Sequence, residues 1–361
     1  MDSTFISDTI NRALTTAGLG PGYRAQGIDI HRVIEDALAS AGLAHAPSAP
    51  PRTALDDVRD APRRAPAAPG RFVWHRHTGP HGSRDYRLYV PASCTDACRP
   101  ALVMMLHGCK QHPDDFAAGT RMNELAERHG FLVAYPAQTR RANGSNCWNW
   151  FDTAQQQRSG GEPSILAGIV DDINAMYPVD RSKVYVAGLS AGAAMAVILG
   201  QTHPDLFAGI GAHSGLPKGV AHDVPSAFAA MQSRTQQGSG SGGRAVRTMV
   251  IHGDADATVN VANGSAIIRH ALDAYKQSGV HLQPQAVQTL ERGGRRYSSR
   301  AFCDELGMPL VEECVIHGGG HAWSGGDTAG SFTDRSGPDA SEEFVRFFLG
   351  SSGARPITRS D

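Results

Sequence analysis

The 361-residue chain has almost no net charge and few cysteines, and each shortage narrows what it can be. Its 34 Lys and Arg nearly cancel its 35 Asp and Glu, for a formal net charge of -1. A nucleic-acid or anionic-membrane partner would call for a strongly basic surface, so a neutral substrate fits best. No window approaches 18 uninterrupted apolar residues, so no membrane span is expected. The opening MDSTFISDTI lacks the basic and apolar regions of a secretory signal, which predicts a cytoplasmic protein. The six cysteines fall in order as Cys94 and Cys98, Cys109 and Cys147, Cys303 and Cys314, and none has zinc-site spacing. An even number suggests disulfides, whereas a reducing cytoplasm argues against them.

What is present describes an ordinary globular protein, 41% hydrophobic and 19% charged, long enough for one large domain plus an appendage. Residues 1–43 hold a repeat at an offset of 24, in which Ile10, Ala13, Leu14 and Ala17 recur as Ile34, Ala37, Leu38 and Ala41. That spacing predicts two short amphipathic helices, each stopped by glycine. They pack on themselves or on the main domain, or they dock an apolar particle or partner. Residues 44–70, with six prolines among Ala and Arg, read as a linker. From Arg71 onward apolar strand patterns alternate with helices. An opening hairpin is expected at 71–77 and 86–90, and strands at 101–106, 131–135, 184–187, 209–213, 247–251 and 311–316. Helices are expected at 122–128 and 341–349, the latter carrying Phe344, Phe347 and Phe348. This order predicts an α/β fold, a mostly parallel sheet covered on both faces. The run Gly238–Gly243 lacks the flanking strand and helix of a dinucleotide loop and reads as a flexible insertion.

The stretch RSKVYVAGLSAGAAMAVILG (181–200) organises the rest. A strand runs into Gly188-Leu189-Ser190-Ala191-Gly192 and then into a helix of small apolar residues. A serine on such a bend stands clear of the sheet, and a side chain at either glycine would collide with a neighbouring element. Ser190 is therefore the expected nucleophile, with the helix N-terminus adding its dipole. Cys109 is the alternative nucleophile, disfavoured with Ser190 present.

A serine hydroxyl needs a base, and the base needs a carboxylate to hold its tautomer. After strand 247–251, Asp256 lies far enough round its loop to reach a histidine, whereas Asp254 at the strand tip would accept loop N–H groups. After strand 311–316, three glycines carry His321 into a loop, whereas His317 stays near the strand as a hydrogen-bonded histidine. His107 and His252, each before a glycine at a strand end, read as structural. The oxyanion donors are expected at the N–H groups of Ala191 and Cys109, the Cys109 thiol being incidental or tied to Cys147. Trp148, Trp150 and Trp323 are candidates for an apolar wall against the substrate, or for core packing. His75, His77 and His81 suggest alternation on an edge strand rather than a metal site.

Together LHGCKQ (106–111), NCWNWF (146–151), GLSAG (188–192), HGDADATV (252–259), GGGHAWSGG (318–326) and SFTDRSGPDASEEFVRFFL (331–349) resemble the polyhydroxybutyrate depolymerase family of esterases. The resemblance extends to the catalytic domain of type 1 extracellular short-chain polyhydroxyalkanoate depolymerases and covers residues 71–350. It implies an α/β-hydrolase fold, a triad of Ser190, Asp256 and His321, and Cys109 at the oxyanion hole, with no metal or organic cofactor. The same family includes feruloyl and acetylxylan esterases, so the fold leaves the ester open. The intracellular, single-domain kind that mobilises stored polymer is the closer resemblance; extracellular placement, as for many members, is the alternative. Residues 1–43 would then contact the polymer granule in place of a binding domain. A non-catalytic granule-associated protein is the alternative of another class.

Overall fold

The computed structural model describes residues 70–95, 98–233 and 244–350. The helical repeat of 1–43, almost all of the 44–70 linker, the Gly238–Gly243 insertion and the 351–361 tail lie outside the described residues.

Strand β1 (Arg71–Gly79) turns back as β2 (Gly82–Val90), antiparallel in register from Arg71 opposite Val90 to Gly79 opposite Gly82. The hairpin expected from the sequence is thus present, with longer arms. Then come β3 (Leu102–Leu106), helices α1 (Pro113–Thr120) and α2 (Met122–His129), β4 (Leu132–Pro136) and α3 (Gly161–Met176). The centre of the chain supplies β5 (Val184–Leu189), α4 (Ala191–Thr202), β6 (Gly209–His213), α5 (Val224–Gln232), β7 (Arg247–Gly253) and α6 (Ala262–Gln277). A meander of β8 (Gln283–Pro284), β9 (Gln288–Arg292) and β10 (Arg295–Cys303) leads to β11 (Pro309–Ile316). A small pair, β12 (Trp323–Ser324) with β13 (Thr333–Asp334), precedes the closing helix α7 (Ala340–Leu349).

The main sheet runs β1-β2-β4-β3-β5-β6-β7-β11-β10-β8, with β9 paired to β10. The six strands from β4 to β11 are parallel, and antiparallel strands flank them on both sides. The α/β-hydrolase expectation holds, with the parallel part confined to the middle. Central strands such as LVMML are buried along their whole length because helices cover both faces. Alternation sorts their side chains. Leu102, Met104 and Leu106 join the core under α3, α4 and α6, while Val103 and Met105 join the core under α2 and α7. In α7, Phe344, Phe347 and Phe348 are all buried, and Phe348 stacks on Tyr185 with ring centroids 4.7 Å apart. Each such ring contributes about 2–3 kcal/mol through burial.

Helix α4 is buried on nearly every side, which its run of Ala, Gly and Met permits. A Cβ at Gly192 would lie 2.0 Å from the Leu106 carbonyl oxygen, and one at Gly188 would lie 2.5 Å from the Gly192 carbonyl carbon. Both glycines of the 188–192 turn are therefore required for the helix to sit this close to the sheet.

Candidate active site

Ser190 occupies the step between β5 and α4, with φ 57° and ψ -119°. A non-glycine residue held there costs about 1–3 kcal/mol, offset by the packing of the strand and helix around it. Its N–H donates to the His213 carbonyl at 2.9 Å, which pins the turn to the end of β6.

The two candidate aspartates and two candidate histidines sort into two separate pairs. Asp256 and His321 form the buried one, each only 7% exposed, with His321 Nδ1 2.7 Å from Asp256 Oδ2. The other oxygen, Asp256 Oδ1, accepts the N–H groups of Thr258 at 2.9 Å and Val259 at 2.8 Å. Burial alone would raise the Asp256 pKa. The facing His321 and hydrogen bonds from His252 and His321 outweigh it and hold the carboxyl well below the usual range. An ionised Asp256 fixes the proton of His321 on Nδ1 and leaves Nε2 as the basic nitrogen. Asp254 and His317 form the outer pair at 3.0 Å, both side chains partly exposed. As expected for a strand-tip residue, Asp254 accepts a loop N–H, that of Gly318, at 2.7 Å.

Strand register sets the buried pair and the serine on the same edge of the sheet. Leu189 pairs with His213, His213 with Ile251, and Gly253 with Ile316. Ser190, Asp256 and His321 thus follow the carboxyl ends of β5, β7 and β11, parallel strands of one sheet. From β5 to β11 is three strand spacings, about 14 Å, which the 317–324 segment recrosses. The Ser324 N–H donates to His213 Nε2 at 3.1 Å, and the His213 ring stacks on Trp323. His213 thereby joins the serine turn to the segment bearing His321. Burial pushes its pKa down to about 3, and nearby His252 and His321 push the same way. It stays neutral, accepting at Nε2 and donating from Nδ1 to Ser214 Oγ at 3.2 Å. Nothing in local sequence pattern marks His213, because its partners come from distant segments.

The donors expected for an oxyanion lie on the same edge. Leu106 pairs with Gly188, and Cys109 and Ala191 each follow three residues later, beyond the ends of β3 and β5. Ala191 is the first residue of α4, so its N–H has no acceptor within the helix. Around Cys109 the neighbouring donors are engaged: Gly108 N–H to Gln111 Oε1 at 2.9 Å, Lys110 N–H to the Ser145 carbonyl at 2.7 Å. His107, its pKa pushed down to about 4 by burial, accepts the Gln138 N–H at Nε2. His107 and His252, which donates from Nε2 to the Val259 carbonyl, have the structural roles their positions suggest.

Two expectations are corrected. The tryptophans do not form a substrate wall: Trp148, Trp150 and Trp323 are 0%, 6% and 1% exposed. Trp148 donates its indole N–H to the His107 carbonyl under the Arg84 guanidinium, and Trp323 donates to Ser341 Oγ. Of the six cysteines, Cys109 and Cys147 are disulfide-bonded, while Cys94, Cys98, Cys303 and Cys314 are thiols. Cys314 lies opposite Ser299, four residues from Cys303 along β10. At about 3.4 Å per residue that separation is beyond disulfide reach. The histidines of the first hairpin are engaged separately, His75 stacked on Tyr86 and His77 bonded to Asp172.

Residues 84–276, more than half of the chain, match the family described as Esterase PHB depolymerase. The chain is 32% identical over 232 residues to the poly(3-hydroxyalkanoate) depolymerase C of Paucimonas lemoignei, covering 61% of this chain and 54% of that protein. It is 36% identical over 152 residues to feruloyl esterase B of Neurospora crassa, covering 41% of this chain and 48% of that one. The chain thus spans about half the length of these relatives. Among solved structures, an acetyl xylan esterase from Aspergillus awamori shares the fold, with a TM-score of 0.59 at 21% identity over 77% of this chain and 99% of that one.

Proposed function

Because the chain belongs to the esterase PHB depolymerase family, we propose that it hydrolyses poly(3-hydroxybutyrate), a related short-chain polyhydroxyalkanoate, or their oligomers through an acyl-enzyme on Ser190. The observation that carries this reading is the buried 2.7 Å contact between His321 and an ionised Asp256, at the sheet edge where Ser190 stands in its strained turn. His321 Nε2 takes the Ser190 proton as Oγ attacks the ester carbonyl. The N–H groups of Cys109 and Ala191 stabilise the oxyanion. Collapse expels the alcohol, which takes the proton from His321. Water, deprotonated by the same nitrogen, then releases the hydroxy acid.

A second reading has its own support. The 36% identity with a feruloyl esterase favours a small aromatic ester as substrate. Amorphous poly(3-hydroxybutyrate) granules, methyl ferulate and a short p-nitrophenyl ester, each offered to the wild type and to Ser190→Ala, separate the two. Soluble hydroxybutyrate released only by the wild type supports the first; ferulate release without granule turnover supports the second. Granule docking through residues 1–43 belongs to the same proposal, while the Cys109–Cys147 disulfide favours the extracellular alternative over a reducing cytoplasm. Deleting those residues should reduce pelleting with granules, and unchanged pelleting would remove the idea.

A further inference from the structure

The outer pair of acid and base has a third member. His317 Nε2 lies 2.8 Å from Ser298 Oγ on β10, so Ser298, His317 and Asp254 repeat the order of hydroxyl, imidazole and carboxylate. They stand beside an open surface cavity of ≈ 540 Å³ lined by Glu291, Arg295, Arg296, His317 and others. Their backbone surroundings point away from a second reactive serine. Ser298 sits within a regular strand, opposite Val315 on β11 and Thr289 on β9, with no turn or helix N-terminus to supply oxyanion donors.

These bonds join the two loops that carry the candidate acid and base. Asp254 Oδ1 accepts the Gly318 N–H at 2.7 Å, the Asp254 N–H donates to the Ile316 carbonyl at 3.0 Å, and the Ala255 N–H donates to the Gly319 carbonyl at 3.0 Å. Gly253 and Gly319 touch so closely that a Cβ at Gly253 would lie 2.2 Å from the Gly319 oxygen. From outside, the His317 N–H donates to the Arg296 carbonyl at 3.0 Å, and Arg295 Nη1 donates to the Gly318 carbonyl at 2.6 Å. Asp256 lies two residues beyond Asp254, and His321 four beyond His317.

We propose that Ser298, His317 and Asp254 form a positioning brace that clamps the 253–256 loop to the 316–321 loop and so holds Asp256 against His321. This rests on the serine-esterase reading above. With the proton on Nδ1 every contact in the chain is satisfied: neutral His317 donates from Nδ1 to Asp254 and accepts the Ser298 hydroxyl at Nε2. Asn at position 254 keeps it as well, accepting from Gly318 and donating to His317 in the other tautomer.

The test compares Asp254→Ala, Asp254→Asn and His317→Ala in the full chain, with a p-nitrophenyl ester as substrate and an organophosphonate titrating reactive serine. Displacement of a reacting group by a fraction of an ångström slows the chemical step by about tenfold. Asp254→Ala should show a loss of that size in kcat with KM little changed, while still titrating at one serine per chain. A fold defect alone would lower the titre instead. Asp254→Asn should restore kcat to near wild type. If Asp254→Ala fails to fold, His317→Ala, which leaves the Gly318 contact intact, gives the same reading with a smaller loss. Wild-type kcat in soluble Asp254→Ala and His317→Ala overturns the brace. So does a phosphonate adduct on Ser298 in Ser190→Ala protein that disappears with His317→Ala, because Ser298 would then be a second nucleophile. Full activity of Ser190→Ala without such an adduct refutes the esterase reading itself.

Discussion

Replacing Asp256 with asparagine should all but abolish turnover while leaving the fold intact. Asp256 Oδ1 accepts two N–H groups, from Thr258 and Val259, so the asparagine oxygen is held on that side. Turning the amide over would set its NH2 against two donors and forfeit both bonds. The side-chain NH2 must then occupy the place of Oδ2, 2.7 Å from His321 Nδ1. Donor facing donor is untenable, so Nδ1 gives up its proton and becomes an acceptor. Nε2 then carries the hydrogen and can no longer take one from Ser190. The wrong tautomer costs about 10⁴ in kcat, close to 5 kcal/mol of barrier. The loop bonds survive and a buried charge is removed, so stability should change by no more than about 1–2 kcal/mol. Steady-state hydrolysis of a p-nitrophenyl ester, beside a denaturant melt, checks both halves. An Asp256→Asn enzyme within tenfold of wild type would refute the reasoning, since the imidazole tautomer would then not depend on this carboxylate.

Acidification should destabilise the protein before its carboxylates protonate. Burial lowers His213 to about 3 and His107 to about 4 from an ordinary 6.5. The folded state keeps both neutral while the unfolded chain takes up protons below 6.5, so stability is full above that pH and falls below it. At about 1.4 kcal/mol per pH unit for each residue, the two together lose roughly 4 kcal/mol between pH 6.5 and 5. Urea midpoints across that range measure it, and a flat profile contradicts it. Reducing the Cys109–Cys147 bond, which closes a 38-residue separation, should cost up to about 4 kcal/mol of stability. It should also slow turnover, because the Cys109 N–H is a proposed oxyanion donor. Identical melts and rates with and without dithiothreitol would remove both claims.

The serine turn was legible in the sequence because its signal is local: a strand, two glycines that tolerate no side chain, and a helix of small residues. The pairing of Asp256 with His321 was legible by chain order and by glycines that lengthen the loop before His321. Helix α3 carries Ile165, Leu166, Ile169, Val170 and Ile173 at helical spacing, a signal open to reading that the strand-centred pattern does not list. The β9–β10 hairpin is marked by Gly293-Gly294, both at positive φ, but its charged residues hide the alternation. That the tryptophans pack in the core rather than line a wall was not legible, for a physical reason. NCWNWF is polar around its rings and looks like a loop facing solvent. The partners that bury Trp148, His107 and Arg84, stand 41 and 64 positions earlier in the chain. His213 and the pairing of Asp254 with His317 were hidden in the same way, since their meaning lies in contacts between strands.

In the proposed mechanism the hydroxyl of Ser190, activated by His321, is the group that attacks the ester. Organophosphonate labelling followed by intact mass and peptide mapping tests it most directly. One adduct per chain is expected, on Ser190, formed at a rate that tracks loss of esterase activity and absent from both Ser190→Ala and His321→Ala. An adduct on a cysteine or another serine, or undiminished turnover by protein fully labelled at Ser190, would contradict it.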